Sequence, residues 1–397
     1  MNLRTVPPMT KGKLMRYLRP QHLMLPGPTP LPPAVLQAMA SPMINHRSEA
    51  FTDLYKEVEA GVRWICQTRH EVVMLAGSGT TGMEATICNL FSPGERVLAI
   101  TQGSFSERFA QIARTFGLET DVLAYEWGEA ARPEDLETRL ERAAYKAVLL
   151  VHNETSTGVL NPLKELARVI RRHGALSIVD AISSLSTTPL PVDAWHLDVA
   201  LTASQKGYYA PPGLAMATLS AEAWKACEKA SLPRFTTDFR LIKEYAARGQ
   251  TPWTPPLPVY YALKAGFEQL QHEGLPNLHA RHYLMMRAVR AGLRALGLRL
   301  MIEDEAIASR AVTPVYPPEG IAADELRKLM FNNYHVSLGA GLRKQSGQLF
   351  RVGHLGYQDL PGVLGVLDCI ELTLRELGHR ARPGAAAAAA LEAARGE

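Results

Sequence analysis

From about Pro32 onward the hydrophobic positions of the chain follow two alternating rhythms. Residues 48–68 place Phe51, Leu54, Tyr55, Val58, Val62 and Ile65 at helical spacing on one face, with Ser48 as the predicted N-cap. Short, nearly continuous apolar runs then appear at 72–75, 96–100, 122–125, 147–151, 176–179, 199–202 and 214–219. Each is followed by a polar turn and further helical periodicity. Runs of this kind, separated by helices, predict crossover connections and a mostly parallel seven-stranded sheet covered on both faces, an α/β architecture.

Proline marks the ends of this pattern. The stretch 25–30, Leu-Pro-Gly-Pro-Thr-Pro, suits neither helix nor inner strand, and a second cluster at 251–256 interrupts the alternation. Beyond it the spacing predicts helices over 259–272 and 277–296, strands near Leu300 and Val312, a helix from Ala322, strands near Val336 and Phe350, and a last helix over 360–377. The expected division is an N-terminal arm (1–30), a large domain (31–258), a smaller α+β domain (259–381) and a tail (382–397). That tail holds alanine from 385 to 390 and few large apolar groups, so it is expected to fray or to be loosely helical.

Composition narrows the classes. The chain has 397 residues, 47% of them hydrophobic, with 43 basic against 39 acidic side chains, a net charge of +4. Outside the first twenty residues the charges of both signs are interleaved, which is not the clustered basic face of a nucleic-acid binder. Four cysteines, Cys66, Cys88, Cys227 and Cys369, stand far apart without metal-ligand spacing, so neither a disulfide framework nor a bound metal is expected. No apolar run is long enough to span a bilayer, and residues 1–22 lack the apolar core of a secretion signal. A soluble, cytoplasmic protein is the expectation.

The segment richest in chemistry is 203–207, Ala-Ser-Gln-Lys-Gly, which follows a buried strand and puts Lys206 at the edge where open α/β sheets bind ligands. Twenty-six residues upstream, Asp180 ends a strongly apolar strand. A buried carboxylate is costly unless a cation faces it. An Asp able to face a protonated pyridine nitrogen and a Lys able to form a Schiff base are the pair that pyridoxal phosphate requires. Its phosphate needs a cradle, and Ser78-Gly79-Thr80-Thr81-Gly82, between a strand and a helix predicted to start near Met83, offers backbone N–H groups and a favourable helix dipole.

With these motifs in order, and with 26–29 (Pro-Gly-Pro-Thr) and 351–356 (Arg-Val-Gly-His-Leu-Gly) at either end, the chain resembles a fold-type I, class V pyridoxal-phosphate aminotransferase of the alanine–glyoxylate and serine–glyoxylate group. It is similar in particular to the bacterial branch often labelled a soluble hydrogenase small or tritium-exchange subunit. The resemblance implies a homodimer with shared active sites, acting on small amino acids and 2-oxo acids. It makes Lys206 the Schiff-base lysine and Asp180 the partner of the pyridine nitrogen. Ser78, Gly79 and Thr80 would hold the phosphate, with Ser204 or Gln205, and Thr254 from a neighbouring subunit. Phe105 would stack on the ring where animal relatives carry Trp, and Ile182 would pack beneath it. Thr155 would bond the phenolic oxygen, or else cap a helix from Asn161. Arg351 would fork onto the substrate carboxylate, and Gly27 would leave room for a small substrate. The animal enzymes place a Tyr where this chain has Thr251.

The implied reaction moves an amino group from serine or alanine to glyoxylate or pyruvate by a ping-pong mechanism. Three alternatives compete with it. A cysteine desulfurase needs a nucleophilic Cys in the loop 339–348, which has none. A 2-aminoethylphosphonate transaminase would keep the same cofactor residues, and a non-catalytic subunit of a redox complex would need neither Lys206 nor Asp180.

Overall fold

The computed structural model describes residues 21–395. The first twenty residues of the expected arm lie outside this range.

Seven strands form the large sheet, in the spatial order Glu71–Gly77, Gly213–Leu219, Val199–Ala203, Leu176–Asp180, Ala147–Val151, Arg96–Thr101 and Glu119–Ala124. Gly213–Leu219 is antiparallel to both neighbours, while the remaining pairs are parallel, so six strands end on one edge. Side chains along Arg96–Thr101 alternate between the two faces. Leu98 and Ile100 enter one core with Tyr55, Val148 and Val179, whereas Val97 and Ala99 enter the other with Met83, Leu149 and Ile178. Burial on both faces is why these strands read as continuous apolar runs. The edge strand extends from Glu119 rather than from 122, because its first residues are polar and face its solvated side.

The helix Glu49–Ile65 is capped as expected, the Ser48 side chain accepting the Phe51 N–H. Its partner is Leu257–Glu273, whose Tyr260 meets Phe51 at a ring-centroid distance of 5.4 Å and whose Phe267 lies where a Cβ on Gly61 would stand. Leu257, Tyr260, Leu263 and Phe267 therefore belong to the large core. A separate core begins with Met285, inside the helix Leu275–Ala295. The packing thus changes within that helix and not at 258/259, since the second proline cluster turns the chain without ending the first core.

The smaller layer contains a five-stranded sheet in the order His22–Met24, Val336–Ala340, Phe350–Gly353, Val312–Tyr316, Arg299–Leu300. His22–Met24 pairs parallel with Val336–Ala340, so the end of the expected arm is an integral strand of this sheet. The alanine-rich tail also departs from expectation. Ala385–Arg395 is a helix packed on Leu275–Ala295, with Ala386 and Ala390 fully buried. Small size, not large apolar area, permits the docking: a Cβ on Gly292 would stand 3.1 Å from the Ala386 carbonyl. The buried Glu371 carboxylate accepts the Gly384 N–H at 2.8 Å and anchors the helix start.

Candidate active site

Four chain segments end or turn at the shared edge of the parallel strands. The first is Leu176–Asp180. One Asp180 carboxylate oxygen accepts the Ile182 N–H at 2.9 Å, and the side chain is only 4% exposed. Burial pushes its pKa up to about 7, the Ile182 N–H pulls it down, and the nearby Glu154 charge adds to the rise against Lys206 and Arg108.

The second is the turn after Val199–Ala203. Lys206 extends from it toward the small layer and its ammonium donates to the Pro26 carbonyl. Burial, then the charge of Arg351, brings the lysine pKa down to about 8, with Asp180 acting in the opposite direction. Gly27 stands at φ +124°, and a Cβ there would fall on the Lys206 side chain, so only glycine lets the Pro-Gly-Pro turn approach so closely.

The third is the cradle. The helix Gly79–Leu90 begins four residues earlier than the spacing predicts, with Ser78 as N-cap and the Ser78 N–H donating to Thr81 Oγ1 at 3.2 Å. Gly79 and Thr80 therefore lie in the first helical turn, whose N–H groups have no partner within the helix and suit an anion. A Cβ on Gly79 would strike Ile182, which closes this side of the cavity.

The fourth is the tight hairpin Asn153–Glu154 with Val159–Leu160. Glu154, fully buried, accepts the N–H groups of Phe105 and Ser106 at 3.1 and 2.9 Å and the Ser156 hydroxyl at 2.6 Å. It thereby fixes both the start of the helix Ser104–Thr115, which carries Phe105, and the turn that carries Thr155. Thr155 caps no helix, since the next one starts at Leu163. Its carbonyl instead accepts from Arg351 Nη1 at 2.9 Å, while Arg351 Nε donates to the Ala340 carbonyl at 2.8 Å. Arg351 is 6% exposed, and burial lowers its pKa to about 10.

A cavity of about 110 Å³ brings together Ser78, Gly79, Thr80, Phe105, Thr155, Asp180, Ile182, Gln205 and Lys206. Gly27 and Arg351 approach it through Lys206. Two expected residues stand elsewhere. The Ser204 hydroxyl is turned away, donating to the Pro211 carbonyl at 2.6 Å and accepting the Leu214 N–H at 3.2 Å. Thr254 is exposed and does not line this cavity within its own chain. Arg47, just before the helix Glu49–Ile65, binds the Thr251 and Pro252 carbonyls and so clamps the loop that carries Thr254.

Four residues that line the cavity, Met83, Arg108, Asn153 and Ser183, escape a reading of the sequence, as does Glu154 behind the wall. Arg108 and Glu154 look like solvated charges in their motifs. Only the helical offset of Arg108 from Phe105, three residues, hints at a shared face. The donor set suits an aromatic phosphate: open N–H groups at a helix start, a buried acid at a strand end, a buried amine, and a buried Gln205 Oε1 without a hydrogen-bond partner. Among the described residues no group of three or more His, Cys, Asp or Glu side chains could hold a metal ion.

Comparison with known proteins points the same way. The family model for aminotransferase class-V matches residues 22–347. The soluble hydrogenase small subunit of a Synechococcus is 41% identical over 93% of this chain and 97% of its own length. The serine–glyoxylate aminotransferase of Methylorubrum extorquens is 35% identical over 93% and 94%. Among solved structures, the alanine–glyoxylate aminotransferase of a Nostoc superposes with a TM-score of 0.86 at 30% identity, covering 94% of this chain and 98% of that one. The family match runs from the first strand of the small sheet, across the whole large sheet, to the loop before Arg351, and on that ground the chain belongs to the class-V aminotransferase family.

Proposed function

We propose that this aminotransferase binds pyridoxal 5′-phosphate on Lys206 and transfers the amino group of a small amino acid, serine or alanine, to a 2-oxo acid such as glyoxylate or pyruvate. The observation that carries the reading is the convergence of Lys206, Asp180 and the Ser78–Thr80 cradle on one cavity. Bound there, the cofactor supplies an electron sink for the bond broken at the substrate Cα. The chain supplies the rest. Asp180, ionised when a cation faces it, holds the pyridine nitrogen in its protonated form. Phe105 and Ile182, which line the cavity, would hold the ring between them, and Thr155 would bond its phenolic oxygen. Lys206 Nζ, with its pKa drawn down to about 8, gives up its proton far more readily than an ordinary lysine and would be placed to take the proton from the substrate Cα. Arg351 would bind the carboxylate of donor and acceptor in turn, and ping-pong kinetics would follow because the amino group stays with the enzyme after the first product leaves. Gly27, with no side chain beside Lys206, would leave room for a small substrate.

A homodimer completes this reading. Phe235 and Trp253 are 72% and 39% exposed, meet in a tilted ring pair at 5.1 Å, and adjoin Thr254, which would reach a partner's phosphate. A cytoplasmic location is consistent with four free cysteines. Borohydride reduction of the purified yellow protein, followed by peptide mass mapping, should mark Lys206. Label on another lysine, or none, would refute the reading. Steady-state assays against a panel of amino donors and 2-oxo acids then define the pair.

A further inference from the structure

The helix Ser104–Thr115 delivers a second cation to the cavity, one turn beyond Phe105. Arg108 lines the cavity wall, and its Nη1 donates to Thr80 Oγ1 at 3.0 Å. Its guanidinium carbon lies 4.9 Å from the centroid of the Phe105 ring. Asp180 lines the same cavity and its charged form is favoured by Arg108, while the other neighbouring carboxylates are engaged elsewhere. Glu107 binds Arg343 at 3.0 Å and the Trp127 indole N–H at 2.9 Å, and Glu154 is held by backbone N–H groups and Ser156. No ion pair to Arg108 forms among the described residues, whereas Arg96 on the adjacent strand meets Asp121 at 2.6 Å. An arginine without a counter-ion, tied to the first turn of a helix whose N–H groups are also open, adds positive potential where an anion can be received.

We propose that Arg108 is a cofactor-binding residue that supplies the cation for the phosphate group, by its own charge and by orienting the Thr80 hydroxyl. The proposal rests on the pyridoxal phosphate reading above. It differs from a purely packing role, in which Arg108 would only brace Phe105. A brace acts on any ligand that stacks on the ring, whereas a phosphate cation acts only on ligands that carry the phosphate.

The experiment uses that difference. Cofactor-stripped full-length protein is titrated with pyridoxal 5′-phosphate and, separately, with pyridoxal, and the absorbance of the lysine adduct gives a dissociation constant for each. Arg108→Met should weaken binding of the phosphorylated ligand by about 10- to 100-fold, the range for losing hydrogen bonds to a charged group, and leave pyridoxal within about twofold of the parent, the scatter expected of unrelated contacts. Arg108→Lys, which keeps the charge and the stem, should fall between, and it tests the proposal by the same ratio if the Met variant does not fold. Equal weakening for both ligands, or no weakening, overturns the proposal. A parent protein that forms no adduct with pyridoxal 5′-phosphate would sink the functional reading itself, so the two failures are distinguishable.

Discussion

The two ends of the large sheet treat their charged groups in opposite ways. At the amino end a hollow of about 770 Å³ is bordered by Arg69, His70, Asp193, Asp198 and Ser220. There the carboxylates are satisfied. Asp198 accepts the Ser177 N–H at 2.9 Å and the Ser220 hydroxyl at 2.8 Å. Partial burial raises the Asp193 pKa, but the Thr68 hydroxyl and the Arg69 N–H outweigh it and hold the group below its ordinary value. At the carboxyl end Asp180 and Lys206 line a far smaller cavity with Arg351 close to Lys206; Asp180 is pushed up, Lys206 and Arg351 are pushed down, and all three move toward neutrality. The larger hollow is a structural junction of strand ends. The smaller one holds charges the fold leaves short of partners, which is the mark of a site prepared for ligands that bring the complementary charge.

The sharpest break of this comparison is Arg351→Ala. Loss of a charge-assisted contact to a desolvated carboxylate should cost about 2–5 kcal/mol in kcat/KM, for amino donor and 2-oxo acid alike. Arg351→Lys should restore only part, a point charge replacing a planar fork. Near-normal kinetics for both substrates would make Arg351 a strand residue only, held by the Ala340 and Thr155 carbonyls.

A pH titration comes next in size. Between the ordinary value of 3.8 and about 7, folded Asp180 keeps a proton that the unfolded chain has lost. Stability of the cofactor-stripped protein should therefore decline as pH rises through that window. Asp180→Asn should remove the decline, so that its Tm gains on the parent from pH 4 to 7. Asp193 has the opposite sign: its depressed pKa stabilises the fold above its unfolded value and the benefit is lost as pH falls. Thr68→Val should therefore lower the Tm at pH 7 more than at pH 3. An Asp180→Asn difference that does not change with pH would place the carboxylate in a better-solvated setting than the structure gives it.

The smallest effect belongs to the amino end. Asp198→Ala should cost about 1–2 kcal/mol of stability through its lost hydrogen bonds, read as a lower denaturation midpoint, with kcat unchanged. A variant that keeps its stability and loses turnover would reverse the roles assigned to the two ends.

Much of this arrangement is legible in the residues. Strands buried on both faces announce themselves as apolar runs, and Asp180 and Lys206 stand out because one ends such a run and the other sits in the turn just after one. What escapes is of two kinds. Glu154 and Arg108 are charged residues whose partners come from segments distant in sequence or from a ligand, and charge alone reads as solvent exposure. The helices Leu257–Glu273 and Ala385–Arg395 are misjudged because proline marks a turn without saying which core receives the next helix, and because alanine adds little area while allowing close approach.

That last helix has a genetic consequence. Within 385–390 every residue is the same, and the anchor at Gly384 precedes the run. Gaining one alanine leaves alanine at both docking positions, whereas losing one would bring Leu391 to the buried place of Ala390. On a gain, only the residues beyond the run are rotated, by about 100° per residue in a helix of 3.6 residues per turn. Leu391, already 39% exposed, and Glu392 would move around the axis while the buried seam stayed intact. The run can thus lengthen without repacking the domain beneath it, but it cannot shorten without placing a leucine in the seam.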